Sequence, residues 1–114
     1  MREPRAYLED VLGSIEKIRS FTEGIADAMA YSANALVKSA TERELTIIGE
    51  ALITLSKTRE DLTGRIPYFK ELRGFRNILV HNYTAVDEEI VWRVVTGFLD
   101  GLADAVTDLL KESP

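Results

Sequence analysis

The sequence predicts an all-α fold, a bundle of four main helices. Apolar residues recur at gaps of three and four along most of the chain, and no useful stretch alternates apolar with polar as a strand would. The 114 residues are 46% hydrophobic and 29% charged, the balance of a globular chain that can bury a core. Length and the lack of repeats or low-complexity tracts point to one domain spanning residues 1–114.

Leu8, Val11, Ile15 and Ile18 form one apolar stripe and define the first helix. Residues 21–31 read either as a loop with a short helical turn or as part of a bent helix. Leu45, Ile48, Leu52 and Leu55 repeat the stripe in a longer second helix, expected from near Ser32 to Ser56. Thr58–Pro67 carries charges, a Thr-Gly pair and a proline, and reads as the main loop. Pro67 is expected at the first turn of a third helix running from Tyr68 to about Val80, because proline is tolerated where no backbone donor is needed. Val91, Val95, Phe98, Leu102, Ala105 and Leu109 alternate gaps of four and three in one last helix, with Asp87 as its cap and Glu88 and Glu89 in its positive first turn. Gly97 and Gly101 lie four apart on it, which suggests a close approach by a neighbouring helix or by a second copy of the chain. Trp92 reads as core or interface.

Composition narrows the chemistry. There is no cysteine, so no disulfide, thiolate metal site or cysteine nucleophile is available. The single histidine excludes a multi-histidine metal site within one chain, leaving carboxylate-bound magnesium open. No apolar run approaches the ~18–20 residues of a membrane span, and the first residues mix acids and bases, unlike a secretory signal. A cytoplasmic protein with no membrane association is expected. The net charge of −5 argues against binding nucleic acid by charge alone. The distribution is uneven, however. From Lys57 to Arg76 six bases stand against three acids, a local +3 that leaves −8 elsewhere. Such a segment is either phosphate-facing or a solvated loop with balanced neighbours.

The stretch Phe75–Tyr83, FRNILVHNY, concentrates the chemistry. Arg76 is a permanent cation whose fork fits phosphate oxygens, and His81 can take or give a proton near neutrality. Together they suffice for metal-free RNA cleavage: a base removes the 2′-hydroxyl proton, an acid protonates the leaving 5′-oxygen, and the arginine stabilises the phosphorane. Five residues along an unbroken helix leave Arg76 and His81 about 140° apart. Either the helix ends or distorts at Leu79–His81, or the site draws on two chains, with two copies of His81 dividing the roles of acid and base. Residue chemistry alone also fits a histidine that caps a helix, a packing tyrosine at position 83, and a purely structural helical scaffold.

Residues 76–83, RNILVHNY, match the R-x4-H-x-Y pattern of HepT-like toxins of the HEPN superfamily. ATERELTIIGEAL at 40–52, Ile66-Pro67 ahead of the arginine, and VDEEIVWRVV at 86–95 extend the resemblance over roughly residues 5–110. The resemblance implies an antiparallel four-helix HEPN bundle that forms a homodimer, with a metal-independent RNA-cleaving site, needing no cofactor, in the cleft between protomers. It implies Arg76 as the phosphate-binding arginine, His81 as the acid–base residue and Asn77 as a polar residue orienting RNA or the active-site loop. Arg73 is an added phosphate contact or a surface ion-pair partner for Glu71, and Lys70 reads the same way. Gly49 permits close packing, while Glu50 either caps or pairs with an arginine of the basic segment, or orients Arg76 or His81. The resemblance further implies a toxin paired with an MNT-type nucleotidyltransferase antitoxin that transfers AMP from ATP onto Tyr83. The alternative is a non-catalytic dimer that binds nucleotide or RNA as the partner of such a transferase.

Overall fold

The computed structural model describes residues 2–112; Met1, Ser113 and Pro114, the ends of the expected domain, lie outside the described residues. Seven α-helices and one 3-10 turn succeed one another: α1 (Pro4–Thr22), α2 (Ala28–Ser32), α3 (Ala35–Ser56), α4 (Glu60–Thr63), α5 (Phe69–His81), the 3-10 turn Tyr83–Ala85, α6 (Glu88–Gly97) and α7 (Leu99–Glu112). The architecture is an all-α helical bundle. α3 is its central helix, packed on both α1 and α5, while α7 lies against α1 and α6 against α2.

The expected stripes make the core. Leu8, Val11, Ile15 and Ile18 of α1 meet Leu45, Ile48, Leu52 and Leu55 of α3, all buried in one cluster with Leu72, Phe75, Val91, Leu102 and Val106. At about 1.5–3 kcal/mol for each large aliphatic side chain removed from water, this cluster dominates the stabilisation. Trp92 packs against the core with its ring 5.6 Å from that of fully buried Tyr31, in line with its reading as a core residue.

Residues 21–31 take the first of their two readings, a loop with a short helical turn: α1 continues to Thr22, and α2 is a separate start because the Asp27 side chain accepts from Ala30 N at 2.9 Å and caps it. Three boundaries differ from the sequence expectation, each for a local reason. The long helix then begins at Ala35 rather than near Ser32, since Asn34 caps it through Val37 N at 3.0 Å. The loop over residues 58–67 holds a short helix, Glu60–Thr63. Pro67 does not open the third helix: Tyr68 intervenes in the left-handed region (φ 66°, ψ 15°), and α5 starts at Phe69. A tyrosine there is strained. Its ring stacks flat on Phe98, centroids 4.2 Å apart and planes within 8°, and its Cε2 would lie 3.5 Å from a β-carbon on Gly101. That packing offsets the strain.

The last helix is two. Val91 and Val94 are buried on α6, and Leu99, Leu102, Val106 and Leu109 on α7. The buried positions therefore jump by five between Val94 and Leu99, and the chain absorbs the jump by leaving helix at Phe98, just after helix-weakening Gly97. Among the described residues, a β-carbon at Gly97 would meet no atom within 4 Å, and at Gly101 only Tyr68, so no helix among them makes the expected close approach there.

Asp87 caps α6 as expected, accepting from Glu89 N at 2.9 Å and Ile90 N at 3.4 Å. Glu88 then ties this first turn to the rest, accepting from Ser32 Oγ at 3.1 Å and pairing with Lys38 Nζ at 3.0 Å. Burial, and secondarily the Glu88 charge, raise the Glu42 carboxyl above its ordinary 4.5, with Lys38 acting in the opposite sense. A raised carboxyl means the folded chain binds more protons than the unfolded one between 4.5 and the raised value, so ionised Glu42 costs stability above that window and the cost fades as pH falls. Glu42→Gln should therefore raise the melting temperature at pH 7, with the gain vanishing below 4.5; thermal unfolding of both proteins across pH checks this.

Candidate functional site

Arg76 is placed by a missing side chain on the neighbouring helix. α3 and α5 come so close at Gly49 that a β-carbon there would collide with Arg76 Cβ, and would lie 2.7 Å from Arg76 Cγ and 3.5 Å from the Leu72 carbonyl oxygen. The arginine stem thus lies directly over the α3 backbone. Its head is held at two points: Nη1 donates to Asn77 Oδ1 at 3.0 Å, and Nη2 to Glu50 Oε1 at 3.4 Å. The side chain is only 23% exposed, and its buried Nε has no partner among the described residues. Glu50 thus pairs with an arginine of the basic segment, and that arginine is Arg76.

α5 runs through both motif residues. It closes at His81, and the backbone leaves helical geometry only at Asn82 (φ −149°, ψ 54°). The helix thus ends at the last residue of the expected Leu79–His81 stretch, but it is undistorted up to that end, so Arg76 and His81 stay about 140° apart around α5. Arg76 turns toward α3, while His81 is exposed with Asn77 and Asn82. Tyr83 follows on the 3-10 turn, 74% exposed. The turn is ordered by backbone bonds from Asn82 N to the Ile78 carbonyl (2.9 Å), Ala85 N to that of Asn82 (2.9 Å) and Val86 N to that of Tyr83 (3.3 Å), with Thr84 Oγ1 donating to Asn82 Oδ1 at 3.4 Å.

The basic segment divides in two. Arg59 pairs with Asp61 (2.9 Å), Arg65 with Glu112, and Arg76 with Glu50. Lys57, Lys70 and Arg73 have no carboxylate partner among the described residues, so Arg73 does not pair with Glu71; its guanidinium sits 5.3 Å over the Phe69 ring. The Phe69–Arg73 contact, absent from the sequence reading, is visible there as an i, i+4 pair. A cavity of about 590 Å³ lies apart from the motif, between Leu8, Leu62, Leu109 and the Arg59–Asp61 and Arg65–Glu112 pairs. Those arginines hold the Asp61 and Glu112 carboxyls below the usual carboxylate range. Among the described residues no three histidines, cysteines or carboxylates stand together as a metal site, and no helix is long and apolar enough to cross a membrane.

The family model of HepT-like ribonucleases matches residues 11–109, which include Gly49, Glu50 and the whole motif. The chain belongs to the HepT-like family. Among its relatives, a protein of Methanocaldococcus jannaschii provisionally named an RNase is 34% identical over 94 residues, 82% of this chain and 84% of its own. Another of that provisional name, from Caldanaerobacter subterraneus subsp. tengcongensis, is 30% identical over 98% of both chains. A Thermococcus cleftensis protein provisionally named ribonuclease HepT is 33% identical over 96% of this chain and 98% of its own. No solved structure matches the chain.

Gly49→Ala should destabilise this HepT-like bundle by about 1–3 kcal/mol, because the added methyl must push α3 from α5 or eject the arginine stem. Gly13→Ala is the control, since a β-carbon there meets nothing within 4 Å and alanine should add up to ~1 kcal/mol of stability. Urea unfolding of the two variants measures both.

Proposed function

We propose that this HepT-like chain is the toxin of a toxin–antitoxin pair, a metal-independent endoribonuclease that works as a homodimer. The observation that carries the reading is the division of one helix: Arg76 is lodged between Gly49, Glu50 and Asn77, while His81 stands in solvent on another face. A single copy of α5 offers a phosphate-binding arginine and an acid–base imidazole that do not converge. Two copies facing each other across a two-fold axis bring two arginines and two histidines into one cleft. Ile78 and Val80, 41% and 40% exposed beside His81, supply apolar area for that contact.

In this cleft one His81 takes the 2′-hydroxyl proton, and the freed oxygen attacks the adjacent phosphorus. The second His81 protonates the departing 5′-oxygen, leaving a 2′,3′-cyclic phosphate and a 5′-hydroxyl. The Arg76 guanidinium stabilises the charge that builds on the phosphoryl oxygens. Its contact with Glu50 at 3.4 Å is loose, so a phosphate can compete for Nη2. Asn77 and Glu50 position the arginine, with roles short of contact with the reacting atoms.

Tyr83 is the site of neutralisation by an MNT-type nucleotidyltransferase. Its phenol oxygen attacks the α-phosphorus of ATP, pyrophosphate leaves, and the phenol proton goes to a base on the transferase. The phenol is 74% exposed two residues from His81, so the attached anion would both crowd the cleft and repel RNA phosphates. The chain as a whole reads as one HEPN domain.

Purified protein with a bare Tyr83 should cleave RNA in EDTA. His81→Ala and Arg76→Ala should each lower the rate by at least ~10²-fold with the helical circular dichroism unchanged, and Tyr83→Phe should keep cleaving while refusing AMP. Cleavage that survives both motif substitutions contradicts the reading. A well-folded unmodified dimer that binds the transferase but never cleaves selects the non-catalytic partner instead.

A further inference from the structure

The exposed side of α5 carries more than His81. Lys70, Arg73, Asn77 and His81 follow at gaps of three, four and four, and at 100° per residue they fall within an arc of about 80°. All four are exposed. They form a line about 16 Å long that ends at the histidine. Glu71 lies about 100° round the helix from Lys70, and Glu50 is engaged with Arg76, so no carboxylate of either helix pairs with the line's two cations among the described residues. This sets them apart from Arg59, Arg65 and Arg76, whose charges are matched. Arg73 is also held in place: its guanidinium carbon lies 5.3 Å from the centre of the Phe69 ring, and the residue is exposed. Gly74, about 20° beyond the His81 edge of the arc, is open; a β-carbon there meets nothing within 4 Å, so a chain can approach the helix backbone closely.

We infer that the Lys70–Arg73–Asn77 line is the track on which single-stranded RNA lies as it enters the site at His81. The inference rests on the ribonuclease reading and deepens it by naming the substrate form and the residues that hold it beyond the reacting phosphate. Lys70 meets a backbone phosphate as a point charge. Arg73 meets another with its guanidinium, whose flat face can also stack on an unpaired base of any kind. Asn77 offers its amide beside them. A duplex does not suit this line, because its bases are already stacked and shielded.

The test uses dimeric His81→Ala protein, which removes cleavage, and follows binding of a fluorescein-labelled single-stranded oligoribonucleotide by anisotropy over a range of salt. Adding Lys70→Gln and Arg73→Gln should weaken binding about tenfold and make the slope of log affinity against log salt shallower by about 1.4, two phosphates at about 0.7 each. Arg73→Lys should restore the slope while leaving the affinity below that of arginine, because lysine supplies the charge without the stacking plane. The matching duplex should bind more weakly and lose little on substitution. Unchanged affinity and slope in the double variant overturn the track, as does equal binding of the duplex. A double variant that becomes monomeric in sedimentation also overturns it, by marking this face as the contact between copies. In the first two outcomes, cleavage by the His81-containing protein with Lys70→Gln and Arg73→Gln still reports on the ribonuclease reading separately.

Discussion

The approach of α3 to α5 at Gly49 is the constraint from which the rest of the site follows. Only a residue without a β-carbon lets the Arg76 stem lie across the α3 backbone. Once it lies there, the guanidinium comes within reach of Glu50, one residue along α3, and of Asn77, one residue along α5. The same contact fixes how α5 is rotated. Leu72 and Phe75 are buried with Arg76 mostly covered beside them, so Asn77 and His81 turn outward. Arginine inward and histidine outward are thus one structural decision. It is a decision that a single copy cannot convert into a convergent catalytic pair.

The segment after α5 is built to hold its short reactive stretch in place. Asn82 ends the helix, consecutive backbone bonds close the 3-10 turn that displays Tyr83, and Asp87 starts α6 almost at once. Glu88 anchors that start to α2 and α3 through Ser32 and Lys38. At the other end of α5, the Tyr68–Phe98 stack joins the start of the helix to the break between α6 and α7. Both ends of the motif-bearing helix are therefore fastened to the same C-terminal pair of helices.

Much of this was legible in the sequence because it is local. The α1 and α3 stripes, the Asp87 cap and the core position of Trp92 depend on spacing along one helix or on the residue at its end. The misread places depend on contacts between distant segments. Tyr68 takes a left-handed conformation because Phe98, thirty residues on, stacks against it. The break at Phe98 lets one apolar face serve two directions, and an even alternation of threes and fours conceals it. Gly49 and Gly97 make the point most sharply: both are glycines in helices, yet only Gly49 faces an arginine from another element, whereas Gly97 faces nothing. For Arg76 and His81, spacing supplied the 140° problem, and a helix that stays regular up to its end at His81 leaves that angle in place within one chain.

The central claim, that one cleft uses a histidine from each of two chains, is tested most directly by mixing subunits. Unmodified protein and His81→Ala protein would be unfolded together, refolded in varying ratios and assayed for RNA cleavage in EDTA. If both histidines of a dimer are needed, activity falls with the square of the unsubstituted fraction, to about a quarter at equal mixing. Activity that falls in proportion, to about half at equal mixing, would mean that each chain cleaves with its own histidine and would contradict the account.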